Sequence, residues 1–240
     1  MVVDDDEFSR STLIKILHKL NIGKIREAID GHQALIDLRA LGRIDCMFLD
    51  FEMPTLNGLE VLKGIRDGSA GVSRSTSVAM LTAHNNMRLA RTAIALDVSA
   101  FLSKPASAEV IRDRLQRVLT TRHETKAAEA YASVVLPRGR TPPPLLPTSH
   151  DGKPVPGFVM SLPQPRPPEM RVKLEHITPN ARITRSVDGP DGAELIPVGT
   201  VLSKRLLTHL YDLRELDECV AELWIEASAS SVIQFCTVQG

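Results

Sequence analysis

The sequence predicts an α/β fold over residues 1–120, a five-stranded parallel sheet wrapped by helices, followed by a proline-rich linker and a small α+β module. Three observations carry that prediction. Short apolar runs alternate with amphipathic stretches through the first half, the pattern of consecutive βαβ units. Four of those runs end in a chemically active side chain: Val2-Val3 in Asp4-Asp5, residues 46–49 in Asp50, residues 78–81 in Thr82, and residues 101–103 in Lys104. Eleven of the chain's sixteen prolines then fall between positions 137 and 168, which removes backbone donors and favours extended segments there.

The elements follow in order. Leu13, Ile14, Leu17 and Leu20 recur at helical spacing, and Ser9 or Ser11 can cap that helix, behind a solvated acidic turn at Asp6 and Glu7. Residues 24–28 read as a short strand. Residues 32–41 read as a helix with Ala34, Leu35 and Leu38 inward and Gly42 at its end. After Asp50, Pro54 and Gly58 break the chain into a loop before a helix through Leu59, Val61, Leu62 and Ile65. The Thr82 strand, a helix over about 87–96, the Lys104 strand and a helix carrying Val110, Ile111, Leu115, Val118 and Leu119 complete five strands and five helices. The Ala-, Glu- and Lys-rich stretch 121–131 is expected to continue the last helix, making 121–136 a helical extension of the first domain.

Residues 169–226 form the smaller module. Strands are expected at 171–174, 181–187, 194–196 and 219–225, with a turn at 188–192 and a helix capped by Ser203 that carries Leu206, Leu207 and Leu210 on one face. Residues 227–240 read as a tail. From position 169 onward seven Lys or Arg face eleven Asp or Glu, a net of −4, the wrong sign for gripping phosphate backbones. The three cysteines at 46, 219 and 236 form no CxxC pair, there is no signal-like start, and no run of eighteen apolar residues occurs, so a cytoplasmic, non-membrane protein is expected.

If the first and third strands are neighbours, Asp4, Asp5 and Asp50 converge at the carboxyl edge of the sheet, where open α/β folds bind ligands. Three carboxylates in one pocket repel unless a cation neutralises them, and oxygen-only ligands suit Mg2+. Taken singly, each residue has a plain reading: Asp50 a turn cap, Thr82 a strand end, Lys104 a surface lysine, Phe101 core packing.

Together, in this order and spacing, residues 1 to about 120 resemble the receiver domain of two-component response regulators. The resemblance implies a flavodoxin-like fold. It places Asp4 and Asp5 on the acidic metal-binding pair and Asp50 on the phospho-accepting aspartate. Thr82 falls on the switch hydroxyl, Phe101 on the switch aromatic, and Lys104 with Pro105 on the Lys-Pro pair. It further implies that the Glu52 backbone carbonyl joins Asp5 and Asp50 around Mg2+, that Asp4 orients metal-bound water, and that Glu52 and His84 line the site entrance. The implied partners are a sensor histidine kinase or phosphotransfer protein upstream, and a downstream protein partner or self-association; no nucleic acid is implied. The family normally places several more apolar residues before the acidic pair, so a true start upstream of Met1 is expected.

The core of 180–210, with its DGAELIPVGTVLSKRLL run, resembles the small domain that often precedes HD-GYP phosphodiesterase domains. No Gly-Tyr-Pro occurs, and the His-Asp pair His150-Asp151 lies within the proline-rich stretch, so no phosphodiesterase activity and no enzyme function is expected of this chain. Two alternatives stand beside a regulator with a non-catalytic output. One is a phosphate sink or degenerate receiver acting as a scaffold. The other is a phosphatase of the haloacid dehalogenase type, which calls for Asp where Glu52 stands.

Overall fold

The computed structural model describes residues 1–82, 87–121, 125–137, 169–189, 194–214 and 220–227, with side chains from Leu89 onward in the second segment. The expected linker (from 138), most of the tail, His84 and part of the 188–192 turn lie outside the described residues.

Five parallel strands form one sheet in the order β2-β1-β3-β4-β5: β1 (Val2–Val3), β2 (Glu27–Ala28), β3 (Cys46–Asp50), β4 (Ser77–Thr82) and β5 (Ala100–Ser103). Helices α1 (Glu7–Lys19), α2 (Gly31–Leu41), α3 (Gly58–Asp67), α4 (Met87–Ala95) and α5 (Ala108–Thr120) connect and flank them. This is the flavodoxin-like receiver fold, with the order reversing between β1 and β3 as doubly wound sheets require at a ligand-binding edge. Continuous burial of β3 and β4 explains their unbroken apolar runs, since a parallel sheet is covered on both faces. β1 is only two residues long, yet central: Val2 pairs with Glu27 and Phe48, and the Met1 ammonium donates to the Cys46 carbonyl at 2.8 Å.

The helix ends follow local chemistry. Asp6, rather than Ser9 or Ser11, caps α1: its carboxylate accepts from the Ser9 N–H at 2.7 Å, and an acid is favoured at the positive end of a helix. Asp30 caps α2, which ends on Gly42 in the left-handed region (φ 65°). Asn57 and Glu60 close a reciprocal capping box at the start of α3.

The last helix does not run on into 121–131. Thr121 is extended (φ −93°, ψ 121°), and the chain returns as a separate short helix, α6 (Ala128–Ala132), against α3. Tyr131 drives that return: its ring is fully buried, its hydroxyl donates to Asp97 Oδ2 at 2.6 Å, and Lys63 Nζ caps the carbonyls of Ala132 and Val134 at 3.0 and 2.8 Å.

In the second half, β6 (Glu169–Lys173) pairs antiparallel with β9 (Glu222–Glu226), and β7 (Val187–Asp188) with β8 (Glu194–Ile196), beside helix α7 (Lys204–Arg214). The strand expected over 181–187 is broken. It is reduced to two isolated bridges, Ile183 to Ile225 on one side and Arg182 to Val201 on the other, with the Thr184 N–H donating to the Trp224 carbonyl and the Ile183 N–H to the Thr200 carbonyl, and β7 begins separately at Val187. Ser203 caps α7 as expected, accepting from the Leu206 N–H at 3.1 Å.

The module packs on the first domain. α7 lies against β5 and α4, β8 lies against α4, and one buried apolar cluster runs without interruption from Leu49 and Phe101 to Leu207, Leu210 and Ile225. Among the described residues no helix is long and apolar enough to cross a membrane.

Candidate metal and phosphoryl site

Three strand ends meet at the carboxyl edge of the sheet. The parallel register that sets Val3 beside Leu49 brings Asp4 and Asp50 into adjacent positions, and Asp50 in turn is level with Leu81, one residue before Thr82. Asp4 is 1 % exposed and Asp50 7 % exposed, whereas Asp5 faces solvent. One carboxylate oxygen from each of Asp4, Asp5 and Asp50 lies within 4.8 Å of the others. Lys104 enters from the end of β5, its Nζ 2.7 Å from Asp4 Oδ2 and 2.7 Å from Asp50 Oδ2. Thr82 is buried at the end of β4, and its carbonyl accepts from the Lys104 N–H at 2.8 Å, which ties the lysine to the same edge.

The remaining predicted residues divide. Phe101 is on β5 and wholly buried, stacked 6.3 Å from Phe51, the residue that follows Asp50. Glu52 is exposed two positions after Asp50 and is not among the clustered carboxylates.

Several supports have only faint sequence signals. Arg10 reaches back from α1 to donate to the Asp4 carbonyl at 2.9 Å and pairs with Glu27 at 3.2 Å. The Asp6 N–H donates to Asp4 Oδ1 at 3.0 Å, leaving Oδ2 for the lysine. Gly58 lets α3 approach the end of β3 so closely that its N–H donates to the Phe51 carbonyl at 3.0 Å. Two polar residues of α7, His209 and Asp212, are buried beside Leu210 and Leu213, which apolar spacing along the helix does not foretell.

Burial is the main influence on Asp50. It pushes the carboxyl up to about 6, against the pull of the Lys104 ammonium and with help from the negative charges of Asp4 and Asp5. Burial alone would lower the Lys104 ammonium, but hydrogen bonds and charges from Asp4 and Asp50 outweigh it and raise it. Three carboxylates against one ammonium leave the pocket about two charges negative, and all its donors are oxygens. That donor set and charge fit one hard divalent cation such as Mg2+.

The shift of Asp50 has a sign that melts can read. The folded chain binds this proton more tightly than the unfolded chain, whose value is the ordinary one near 4. The resulting stability is therefore full below about pH 4 and is lost as pH rises through about 6, by about 3 kcal/mol. In chelator, Asp50→Asn is expected to melt higher than wild type at pH 7.5 and level with it below pH 4. Added Mg2+ should remove the difference at pH 7.5, and progressively less so below pH 6, where the proton competes for the carboxylate.

Residues 1–116 match the response regulator receiver domain family. They form a receiver domain. The same region is 32% identical over 115 residues to the sensory/regulatory protein RpfC of Xanthomonas campestris, covering 48% of this chain and 16% of that protein. It is 28% identical over 121 residues to the chemotaxis protein CheY1 of Helicobacter pylori, covering 50% of this chain and 96% of that one. The chain thus spans about a sixth of the first relative's length. Among solved structures, the chemotaxis protein CheY4 of Vibrio cholerae aligns at TM-score 0.44 and 29% identity over 49% of this chain and 95% of that one. The NtrX receiver domain of Brucella abortus aligns at 0.45 and 28%, over 50% and 97%. All of these likenesses fall on the receiver half, and the receiver belongs to two-component signalling.

Proposed function

We propose that the chain is a two-component response regulator that takes a phosphoryl group from a histidine kinase or phosphotransfer protein onto Asp50, with Mg2+. The observation that supports this most is the convergence of Asp4, Asp5 and Asp50 on one cation-sized pocket with the Lys104 ammonium 2.7 Å from two of them. An Asp50 carboxylate oxygen attacks phosphorus, the new O–P bond forms as the N–P bond of phosphohistidine breaks, and the imidazole leaves with the electron pair. Positioning and charge neutralisation account for most of such a transfer.

Asp5, Asp50 and the Glu52 carbonyl would hold the metal in this reading, with Asp4, whose oxygens meet the Asp6 N–H and Lys104, orienting metal-bound water. Bound Mg2+ supplies positive charge to the oxygens of the incoming group. Lys104 and Thr82 take the remaining phosphoryl oxygens, and Phe101 follows Thr82 into the space it vacates. The output then runs through the C-terminal module, as a protein-binding or self-associating element without catalysis.

Intact-mass measurement on the full chain with a small acyl phosphate and Mg2+ tests the proposal. The expected result is a gain of one phosphoryl group, absent in chelator and absent in Asp50→Asn. No gain from acyl phosphates or from a panel of phosphohistidine donors would overturn it, and a gain that persists in Asp50→Asn would move the acceptor elsewhere.

A further inference from the structure

Among the described residues β6 has one strand neighbour, β9. The far side of β9 fixes which way the backbone groups of both strands point. There the Thr184 N–H donates to the Trp224 carbonyl and the Glu226 N–H to the Arg182 carbonyl, each at 2.9 Å, so Trp224 and Glu226 turn their backbone groups away from β6. Leu223 and Ile225 therefore face β6, where they lie opposite Val172 and Met170. Hydrogen bonding alternates along an antiparallel pair, so Met170 and Val172 are bonded to β9 while Arg171 directs its N–H and C=O outward. The Leu174 N–H, which donates to the Ala221 carbonyl at 2.9 Å, keeps the same phase. Neither outward group of Arg171 has a partner among the described residues.

The side chains along this edge are complementary to themselves. The strand reads Glu169-Met170-Arg171-Val172-Lys173, with opposite charges at its two ends. Set antiparallel to the same strand of a second copy, on a two-fold axis at Arg171, it brings each Glu169 opposite the other copy's Lys173 and each Met170 opposite Val172. The two Arg171 side chains meet at the axis, but Glu222 of its own chain already neutralises each at 2.7 Å. Met170, 36 % exposed beside the nearly buried Val172, acquires an apolar neighbour. Other registers are poorer. A slip of one residue sets Arg171 against a residue whose backbone groups are turned to β9. A slip of two puts Arg171 against Lys173 twice in one direction, and in the other overlaps residues 169–171 alone.

We infer that the C-terminal module self-associates through β6, two copies joining their two-stranded ribbons into one four-stranded antiparallel sheet in the order β9-β6-β6-β9. The contact uses the same patch on both copies and closes at two. Main-chain hydrogen bonds at Arg171 supply the attraction, and the Glu169 and Lys173 pairs supply the register. Charges on an edge strand ordinarily discourage pairing, because most registers bring like charges together. Here one register converts them into attraction, and the sequence that satisfies it is the strand's own. A pair of five-residue strands covers less surface than a permanent interface needs, so the dimer is weak, with a Kd of about 10–100 µM. As an output it rests on the function proposed above and selects self-association for the module. As a contact it stands on β6 and is independent of Asp50.

Sedimentation velocity on the full chain without phosphoryl donor, from micromolar to millimolar concentration, tests the contact. Wild type is expected to pass reversibly from monomer to dimer, and its Arg171 amide to exchange more slowly as concentration rises while the Ile225 amide, bonded within the ribbon, does not change. Arg171→Pro removes the outward N–H and leaves the bonds to β9 in place, so it should weaken association at least about tenfold. Glu169→Lys and Lys173→Glu each set like charges opposite one another and should each weaken it about tenfold. An equimolar mixture of those two variants should recover wild-type association, because the lysines of one then face the glutamates of the other. Unchanged melting of the charge variants shows the module still folded. A chain that stays monomeric throughout would overturn the inference. So would a dimer indifferent to all three variants, which lies on another surface, or a mixture no tighter than its components. Dimerisation of a chain ending at residue 227, where the full chain stays monomeric, would put residues 228–240 on the edge instead of a second copy and would overturn it likewise. None of these readouts involves Asp50, so a failure here leaves phosphoryl transfer standing, and a failure of phosphoryl transfer leaves the dimer standing.

Discussion

Gly58→Ala is expected to cost at least about 3 kcal/mol of stability and to slow phosphorylation of Asp50 about 100-fold, because the added methyl has nowhere to go but into the site. An ideal Cβ on Gly58 would stand 2.1 Å from the Asp50 carbonyl oxygen and 3.0 Å from its carbonyl carbon, with Met80 Cε at 3.2 Å behind. The first two of those are backbone atoms of the strand that carries the nucleophile, so no side-chain rotation relieves the contact. Either β3 or the start of α3 must shift by about an ångström, and displacements of that size are what cost reaction rate in a pre-positioned site. The shift also breaks the 3.0 Å bond from the Gly58 N–H to the Phe51 carbonyl and strains the capping box of Asn57 and Glu60. Denaturant melts and acyl-phosphate kinetics on the same preparation check both halves. Gly23→Ala is the matched control. Nothing lies within 4 Å of its added carbon, and it is expected to be neutral or to stabilise by up to about 1 kcal/mol through the unfolded chain. A Gly58→Ala protein with wild-type melting and kinetics would show that the close approach is not needed.

Arg66→Met is expected to destabilise the receiver by about 3–5 kcal/mol. Arg66 sits on the buried side of α3 with no exposed surface. Its guanidinium donates to the Asp97 carbonyl from two nitrogens at 3.1 and 2.9 Å, and to the carbonyls of Arg74 and Thr76 at 2.6 and 2.9 Å. Burial draws the guanidinium down to about 10, so it stays charged at neutral pH. Methionine fills a similar volume but leaves those carbonyls without a donor at the turn between α4 and β5 and in the loop before β4. The loss should appear as a lower denaturant midpoint with an unchanged slope, and Arg66→Lys should recover a part of it, since one ammonium cannot span three carbonyls in a planar fork. Asp97 also holds Tyr131 of α6 and Arg205 of α7, so looser packing at the end of α6 should accompany the loss.

The strand ends were legible because a parallel buried strand leaves a near-continuous apolar run that stops where the sheet stops. Asp4, Asp50, Thr82 and Lys104 each mark such a stop, and the structure brings them to a common edge. Helix limits read from apolar spacing were nearly right where a cap residue had a single candidate, as with Gly42 and Ser203. They failed at α1, where Asp6 outcompeted the serines, and at residues 121–131, where helix-favouring composition lost to the burial of Tyr131. The strand expected over 181–187 is reduced to single bridges and the separate β7, because apolar character does not record how far two segments run side by side.

By itself the sequence determined that this chain carries a receiver with its acids, hydroxyl and lysine in register, since those depend on local runs and their spacing. What the tertiary structure alone decided is the pairing of Asp212 with the Phe101 amide and with Arg114 and Arg117, and the return of Tyr131 to Asp97. Each joins residues 34 to 111 positions apart, or lies on a helix face whose polar members look like any solvated set until a partner surface covers them. Such contacts are set by how packed layers meet, and a sequence pattern with a period of two or 3.6 residues records only the layer on which each residue lies.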